Sequence, residues 1–266
     1  MTQHSSRHSS IEFPNCCILM KTLTIRLTSP LQSYGNEASF ARRTSGDYPS
    51  KSVVVGMVAA ALGYRRDDQR ISKLNELSFA VRVDQRGKNL TDFQTVEWKK
   101  NTRKITYRNY LQDAVFMVGI GHENDAMIDK IKQALKNPKF QLFLGRRSNV
   151  PAGILDLKSF SNTNPIMALE GLKWQASPWY QEKKWWQTKQ EFVEHIEIIA
   201  DANLLPQKRS TLAKDQVESF DQRNRRHGFR PIAIEEVRLK NPYVERTQAA
   251  INPQEPNTHH DPMQFL

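Results

Sequence analysis

Basic side chains interleaved with aromatic ones are the chemistry this chain offers most freely. The basic residues come in runs: Arg42 and Arg43; Lys51; Arg65, Arg66 and Arg70; Lys99, Lys100, Arg103, Lys104 and Arg108; Arg146 and Arg147; and Arg223, Arg225, Arg226 and Arg230. Tyr34, Tyr48, Tyr64, Trp98, Tyr107, Tyr110 and Phe229 stand among them. Guanidinium and ammonium groups neutralise phosphates while aromatic faces stack unpaired bases, a combination suited to single-stranded RNA. Any one run alone reads equally well as a solvated face. Several of them gathered at the loop ends of one domain read as a binding surface.

Groups able to cut RNA are scarcer. Cleavage without a metal needs a base for the 2′-hydroxyl and an acid for the leaving oxygen. Of seven histidines, His4, His8, His259 and His260 fall near the ends, His122 starts a helix and His195 sits in a strand. Only His227, in Arg225-Arg-His-Gly-Phe-Arg230, has a basic setting, with Tyr34, Lys51 and Tyr107 as further possibilities. That set suits grip better than cutting. No paired carboxylates, Cys/His metal spacing or Ser/His/Asp triad stands out, and no cofactor is expected.

Two glycine-and-lysine patterns fail on inspection. Around Lys51 a phosphate-binding P-loop needs glycine at 45 and 50, where the chain has serine, and Pro49 intrudes. Gly119-Ile-Gly121 lacks the third glycine, Asn124 standing in its place, and no acidic residue follows at ribose distance. Nucleotide hydrolysis and dinucleotide binding are set aside.

The elements that must position these residues follow from periodicity. The segment Tyr48–Asp68 carries an almost wholly apolar stretch, Val53–Leu62, expected as a helix buried against a sheet. Pro49 and Ser50 signal its start and Gly63 its end. Lys51 and Ser52 are expected where helix amides point outward to an anion. Strands are expected at Thr22–Leu27, Phe79–Val83, Leu111–Ile120 and Phe140–Leu144. A second helix follows Asn124 or Asp125 and stops at Pro138, while residues 92–107 read as a hairpin or mobile arm. The order βα-ββ-αβ predicts an α+β fold, the ferredoxin-like or RNA-recognition-motif (RRM) arrangement of four antiparallel strands backed by two helices. Phe192–Ile199 and Ile232–Leu239 add strands, read as a small antiparallel β extension over 151–240.

Composition agrees with a polyanionic partner. The 266 residues carry a formal charge of +11 at pH 7, from 39 Lys and Arg against 28 Asp and Glu. Their number suits one large domain or two modest ones. The longest apolar run is far short of the roughly 20 residues a bilayer needs, so no membrane partner is expected. The two cysteines, Cys16 and Cys17, are adjacent, which fits a reducing cytoplasm. Residues 1–19 lack signal-peptide organisation, and ordered structure is expected from Met20. Residues 1–19 and 241–266 are both expected to be disordered.

Several spaced motifs occur together in fixed order. They are Ile25-Arg-Leu-Thr-Ser-Pro-Leu-Gln-Ser-Tyr-Gly35, Tyr48-Pro-Ser-Lys-Ser52 with Gly56, Leu62-Gly-Tyr-Arg-Arg-Asp-Asp68 and Phe79-Ala-Val-Arg-Val-Asp84. Asp92-Phe-Gln-Thr-Val96, Tyr107-Arg-Asn-Tyr-Leu-Gln-Asp-Ala-Val-Phe116, Leu144-Gly-Arg-Arg-Ser148 and Ser219-Phe-Asp-Gln-Arg with Arg226-His-Gly-Phe-Arg-Pro231 complete the set. Over residues 20–240 the chain resembles the CasD-type subunits of the type I-E CRISPR Cascade complex, in the RAMP superfamily. The resemblance implies a non-catalytic role: gripping the 5′ handle of the CRISPR RNA (crRNA) and capping one end of a CasC-type backbone. It further implies a β-hairpin thumb, about 92–108, inserted between guide and target DNA, and contact with a CasA-type large subunit. A ferredoxin-like domain over 20–150 would carry the thumb. Gln32, Ser33, Tyr34, Lys51, Ser52, Arg108 and Arg146 to Ser148 map to handle contacts. Arg42, Arg43, Tyr107 and Gly145 join them as RNA-binding candidates. After the Gly-Arg-Arg-Ser loop, Asn149-Val150 departs from the Cys-Pro that relatives often carry. Two alternatives stay open: a repeat-specific endoribonuclease, since type I-C relatives of similar fold cut precursor RNA, and a generic RRM-like RNA binder.

Overall fold

The computed structural model describes residues 20–35, 41–221 and 223–251. Expectations for residues 1–19 and for 252–266 lie outside them. The alternating Thr22–Leu27 segment lies within strand β1 (Lys21–Thr28), which is followed by the short strands β2 (Leu31–Gln32) and β3 (Arg42–Arg43). Helix α1 (Lys51–Leu62) ends at Gly63 in the left-handed conformation, and the four-residue α2 (Arg70–Lys73) leads to β4 (Ser78–Gln85). Next come a long hairpin, β5 (Lys88–Lys99) and β6 (Thr102–Gln112), then β7 (Val115–His122) and α3 (Asp125–Lys136). Asn124 caps α3, its side chain accepting the Ala126 N–H, and Ile128, Ile131 and Leu135 turn inward. The remaining elements are β8 (Leu157–Phe160), α4 (Pro165–Glu170), α5 (Pro178–Thr188), β9 (Phe192–Asp201), β10 (Thr211–Ser219), β11 (Arg226–Lys240) and α6 (Pro242–Ile251).

Seven strands build an antiparallel sheet, in the order β10-β11-β9-β4-β7-β1-β8, and β2, β3, β5 and β6 form a second, smaller sheet. Helices cover both faces, which makes the central strands apolar on both sides. Leu23, Ile25, Leu27, Phe79, Val81, Phe116 and Val118 pack beneath α1 and α3. Ala80, Met117, Ile198, Ala200 and Ala233 meet Ile166 and Leu169 of α4 on the other face. The protein is thus a mixed α+β fold built on antiparallel sheets. Gly119 and Gly121 lie inside β7 with Pro165 packed across them.

Four expectations need correction. Phe140–Leu144 is no strand. The Lys139 and Phe140 N–H groups instead donate to the carbonyls of Ala61 and Ala60, which lie in the last turn of α1, where helix carbonyls lack partners. The edge place beside β1 goes to β8. Leu111 and Gln112 belong to the hairpin, and a turn at Asp113, with φ of 55°, separates them from β7. The strands of residues 192–240 are no separate extension, because β9 pairs directly with β4 and continues the central sheet. That pairing satisfies an edge of β4 that would otherwise lie unpaired over an apolar core. Finally, the tail begins as a helix: α6 docks Val244 into the protein, and Asn241 before it bonds Gln181 on α5.

Arg82 and Asp84 of β4 hold the second face. Both side chains are wholly buried and make a bidentate pair, with Nε to Oδ1 at 2.6 Å and Nη2 to Oδ2 at 2.8 Å. The remaining guanidinium donors reach the carbonyls of Leu169, Leu172 and Lys173. Asp84 returns the tie by accepting the Gln175 N–H and, through its own carbonyl, the Trp174 indole N–H. A fixed guanidinium fork satisfies this set as no lysine could. Replacing Arg82 with Leu strands a buried carboxylate and three carbonyls, and urea unfolding is expected to show a loss of about 3–5 kcal/mol.

Candidate nucleic-acid groove

The outer face of α1 is the floor of an open groove of about 1300 Å³. Ser52, Val53, Gly56 and Ala60 line it from the helix. One wall comes from the segment Phe140–Ser148 together with Arg108 at the hairpin base, and the other from the β10–β11 connection at Phe220–Arg225. Tyr64, Arg65 and Arg66 close the end beyond Gly63. The lining includes Arg43, Arg65, Arg66, Arg108, Arg146, Arg147, Arg223 and Arg225, against Asp67 and Asp221 as its acidic members. Runs far apart in sequence therefore face one channel. Atoms packed around the Arg225 guanidinium and then the charge of Arg66 lower its pKa, a sign of like charges held close. Such a cluster is what a phosphate chain relieves.

The loop carrying Arg146 is tightly built. The Leu144 N–H donates to the Asn149 carbonyl at 2.7 Å, and the Asn149 N–H to Arg146 at 2.9 Å. Asn149 is buried, and its side-chain amide donates to the Leu144 carbonyl. Gly145 has φ of +90°, and a Cβ there would lie 1.5 Å from the Ser33 carbonyl oxygen. No other residue fits so close an approach. Arg146 itself donates to the Arg43 carbonyl at 3.2 Å and lies 4.4 Å from the Tyr110 ring centre. Arg147 and Ser148 are exposed at the rim.

Several expected contact residues frame the groove instead of facing it. Gln32, Ser33 and Tyr34 are buried. Gln32 donates to the Ala114 carbonyl, Tyr34 donates to Gln32, and the Ser33 N–H donates to the Leu144 carbonyl, so the trio supports the 144–149 loop. Burial raises the Tyr34 pKa well above its ordinary value, leaving a neutral phenol unsuited to act as a base. Lys51 is the main correction. It is buried, its Nζ lies 3.1 Å from Asp201, and its backbone N–H donates to Asp215 at 2.8 Å. Arg230 binds the same two carboxylates. The helix start meets an internal anion, Asp215, not an external one.

Other candidates keep an outward place. Arg42 and Arg43 are exposed on β3, paired in parallel with Tyr107 and Arg108 of β6. Tyr107 is exposed beneath Arg42, and Ser52 lines the floor. Arg65, Arg66, Arg223 and Arg225 line the groove although none of them was among the expected contact residues. Their runs were visible in the sequence, but their convergence depends on a turn after α1 meeting one between β10 and β11. His227 is half-buried, with an unpartnered Nδ1. It is not among the groove-lining residues. Among the described residues no cluster of three or more His, Cys, Asp or Glu could hold a metal, and no helix is long and apolar enough to cross a membrane.

An antiparallel sheet whose covering helix presents an arginine-lined groove defines an α+β protein suited to a polyanion, and comparison with known proteins supplies the family. Residues 22–235 match the family model described as CRISPR-associated protein (Cas_Cas5), and the chain belongs to that family. It is similar to the CRISPR system Cascade subunit CasD of Escherichia coli (strain K12), 32% identical over 167 residues that cover 55% of this chain and 75% of the relative. Among solved structures it resembles a chain of a CRISPR RNA-guided surveillance complex, with 28% identity, a TM-score of 0.65 and coverage of 84% and 92% of the two chains. A second, described as a crystal structure of Cas protein, is 31% identical, with a TM-score of 0.58 and coverage of 84% and 96%.

Two measurements probe this geometry. Lys51→Met leaves Asp201 and Asp215 sharing one cation, and a loss of about 3–5 kcal/mol is expected in urea unfolding. For His227, burial and then the charge of Arg225 lower the pKa below 6.5. Between that lowered value and 6.5 the unfolded chain binds the proton and the folded one does not. Stability is therefore lost as pH falls below 6.5, and this part of the slope should vanish in His227→Gln.

Proposed function

We propose that this chain is a non-catalytic, RNA-binding subunit of a cytoplasmic type I-E Cascade surveillance complex in antiviral defence. In this reading it grips the 5′ handle of the crRNA along the α1 groove and caps a CasC-type backbone. The observation that carries the proposal is the convergence of eight arginines on one uncharged helix surface. The kinship with CasD, a named Cascade subunit, supports the placement in that complex. The strand order β8-β1-β7-β4, with α1 after its first strand and α3 after its third, supports a ferredoxin-like core.

The hairpin β5–β6 would serve as the thumb, reaching target DNA between guide and target, with a CasA-type subunit nearby. It spans 88–112, longer than sequence motifs suggest, and presents Phe93, Trp98, Ile105 and Tyr107 to solvent. Exposed aromatic and branched side chains on a two-stranded arm suit insertion beside bases. A repeat-cutting activity is the second reading. The groove lining includes no histidine among the described residues, which favours grip. Incubating the full chain with its repeat hairpin in EDTA should leave the RNA intact, and single-site cleavage would replace the proposal with the second reading.

Binding should also report charge. For a synthetic RNA carrying the repeat-derived handle, Arg66→Ala and Arg146→Ala are each expected to weaken affinity. Each should reduce the slope of log K against log salt by about 0.7, the value for one single-strand phosphate. Slopes unchanged in both variants would remove the groove as the binding site.

A further inference from the structure

Gly56 has no reason inside the protein to be a glycine. It sits in the middle of α1, where glycine weakens a helix relative to alanine, and its φ is not in the left-handed region. Close packing does not demand it either. A Cβ at this position would meet only the Phe220 ring, at 3.5 and 3.7 Å, which is ordinary van der Waals contact. What the missing side chain leaves bare is the floor of the groove, where Gly56 is half-exposed and shares the lining with both groups of arginines. Arg43, Arg108 and Arg146 stand toward the hairpin, and Arg66 and Arg225 toward the far end of α1.

We infer that Gly56 is a contact residue for RNA: the sugar–phosphate chain crosses α1 there and lies directly on the helix backbone. This rests on the groove being the RNA site. The chemistry is that of close approach, in which an absent Cβ lets a ribose or phosphate come within van der Waals distance of the helix. Phosphates on either side of the crossing then fall to the flanking arginines. Phe220, which leans over Gly56 and has Arg225 5.7 Å from its ring centre, bounds the crossing on one side.

The test uses Gly56→Ala, which adds only the missing Cβ. The variant should gain stability, its melting temperature rising by about 2–4 °C. Its affinity for the repeat-derived handle RNA should fall at least tenfold, and Gly56→Leu should lose binding altogether while remaining folded. A lower melting temperature for the alanine variant would overturn the inference by giving the glycine an internal reason. Unchanged RNA affinity in a stabilised variant would overturn it directly. Parallel measurements on Arg66→Ala and Arg146→Ala separate the two levels: if these weaken binding while Gly56→Ala does not, the groove stands and the crossing point is wrong. If none of the three alters binding, the groove itself is not the site.

Discussion

Four buried charges decide how this protein is assembled. Lys51 from the start of α1, Asp201 from the end of β9, Asp215 from β10 and Arg230 from β11 meet in one cluster where each is shielded from water. Two cations balance two anions, so the cluster is neutral as a whole and ruinous in part. Burial lowers the Lys51 pKa, opposed by Asp201; for Arg230 burial works the same way and is outweighed by Asp215 and then Asp201. Through this cluster the helix that floors the groove is fixed to the strands whose connection forms a wall. The two sides of the groove hold their spacing because their roots share counter-ions.

The same economy governs the loop that carries Arg146. Its shape depends on a glycine pressed against the Ser33 carbonyl and on Asn149 closing the turn from within. Gln32 and Tyr34 in turn brace the strand beneath. None of these residues need touch a ligand, yet each sets where a guanidinium points. A rim of long, mobile arginines is thus seated on short, immobile polar groups, which is how a site gains both reach and register.

Much of this was legible in the sequence, for identifiable reasons. Alternation gave β1, a continuous apolar run gave β7, the apolar run and Gly63 gave α1, and Asn124 gave α3, because each signal is local. Phe140–Leu144 misled because alternation alone cannot tell a strand from a segment laid along a helix end. Strands β9 and β11 were found but wrongly set apart, since pairing with β4 is a contact across more than a hundred residues, and β10 between them was not read as a strand. Lys51 misled for the same reason: a lysine at a helix start invites an anion, and only folding reveals that Asp201 and Asp215 supply it. The arginine runs were visible throughout. What the linear order concealed was which of them share a surface.

Arg82 has a consequence for the order of events during synthesis. Its five donors are satisfied by Asp84 nearby and by carbonyls at residues 169, 172 and 173, and Lys51 waits still longer, for residues 201 and 215. At elongation rates of about 5–20 residues per second, these cations emerge from the ribosome several seconds to half a minute before their distant partners. The N-terminal half thus carries charges whose full set of partners lies in the C-terminal half, and the groove has both its walls only once the β10–β11 connection is in place.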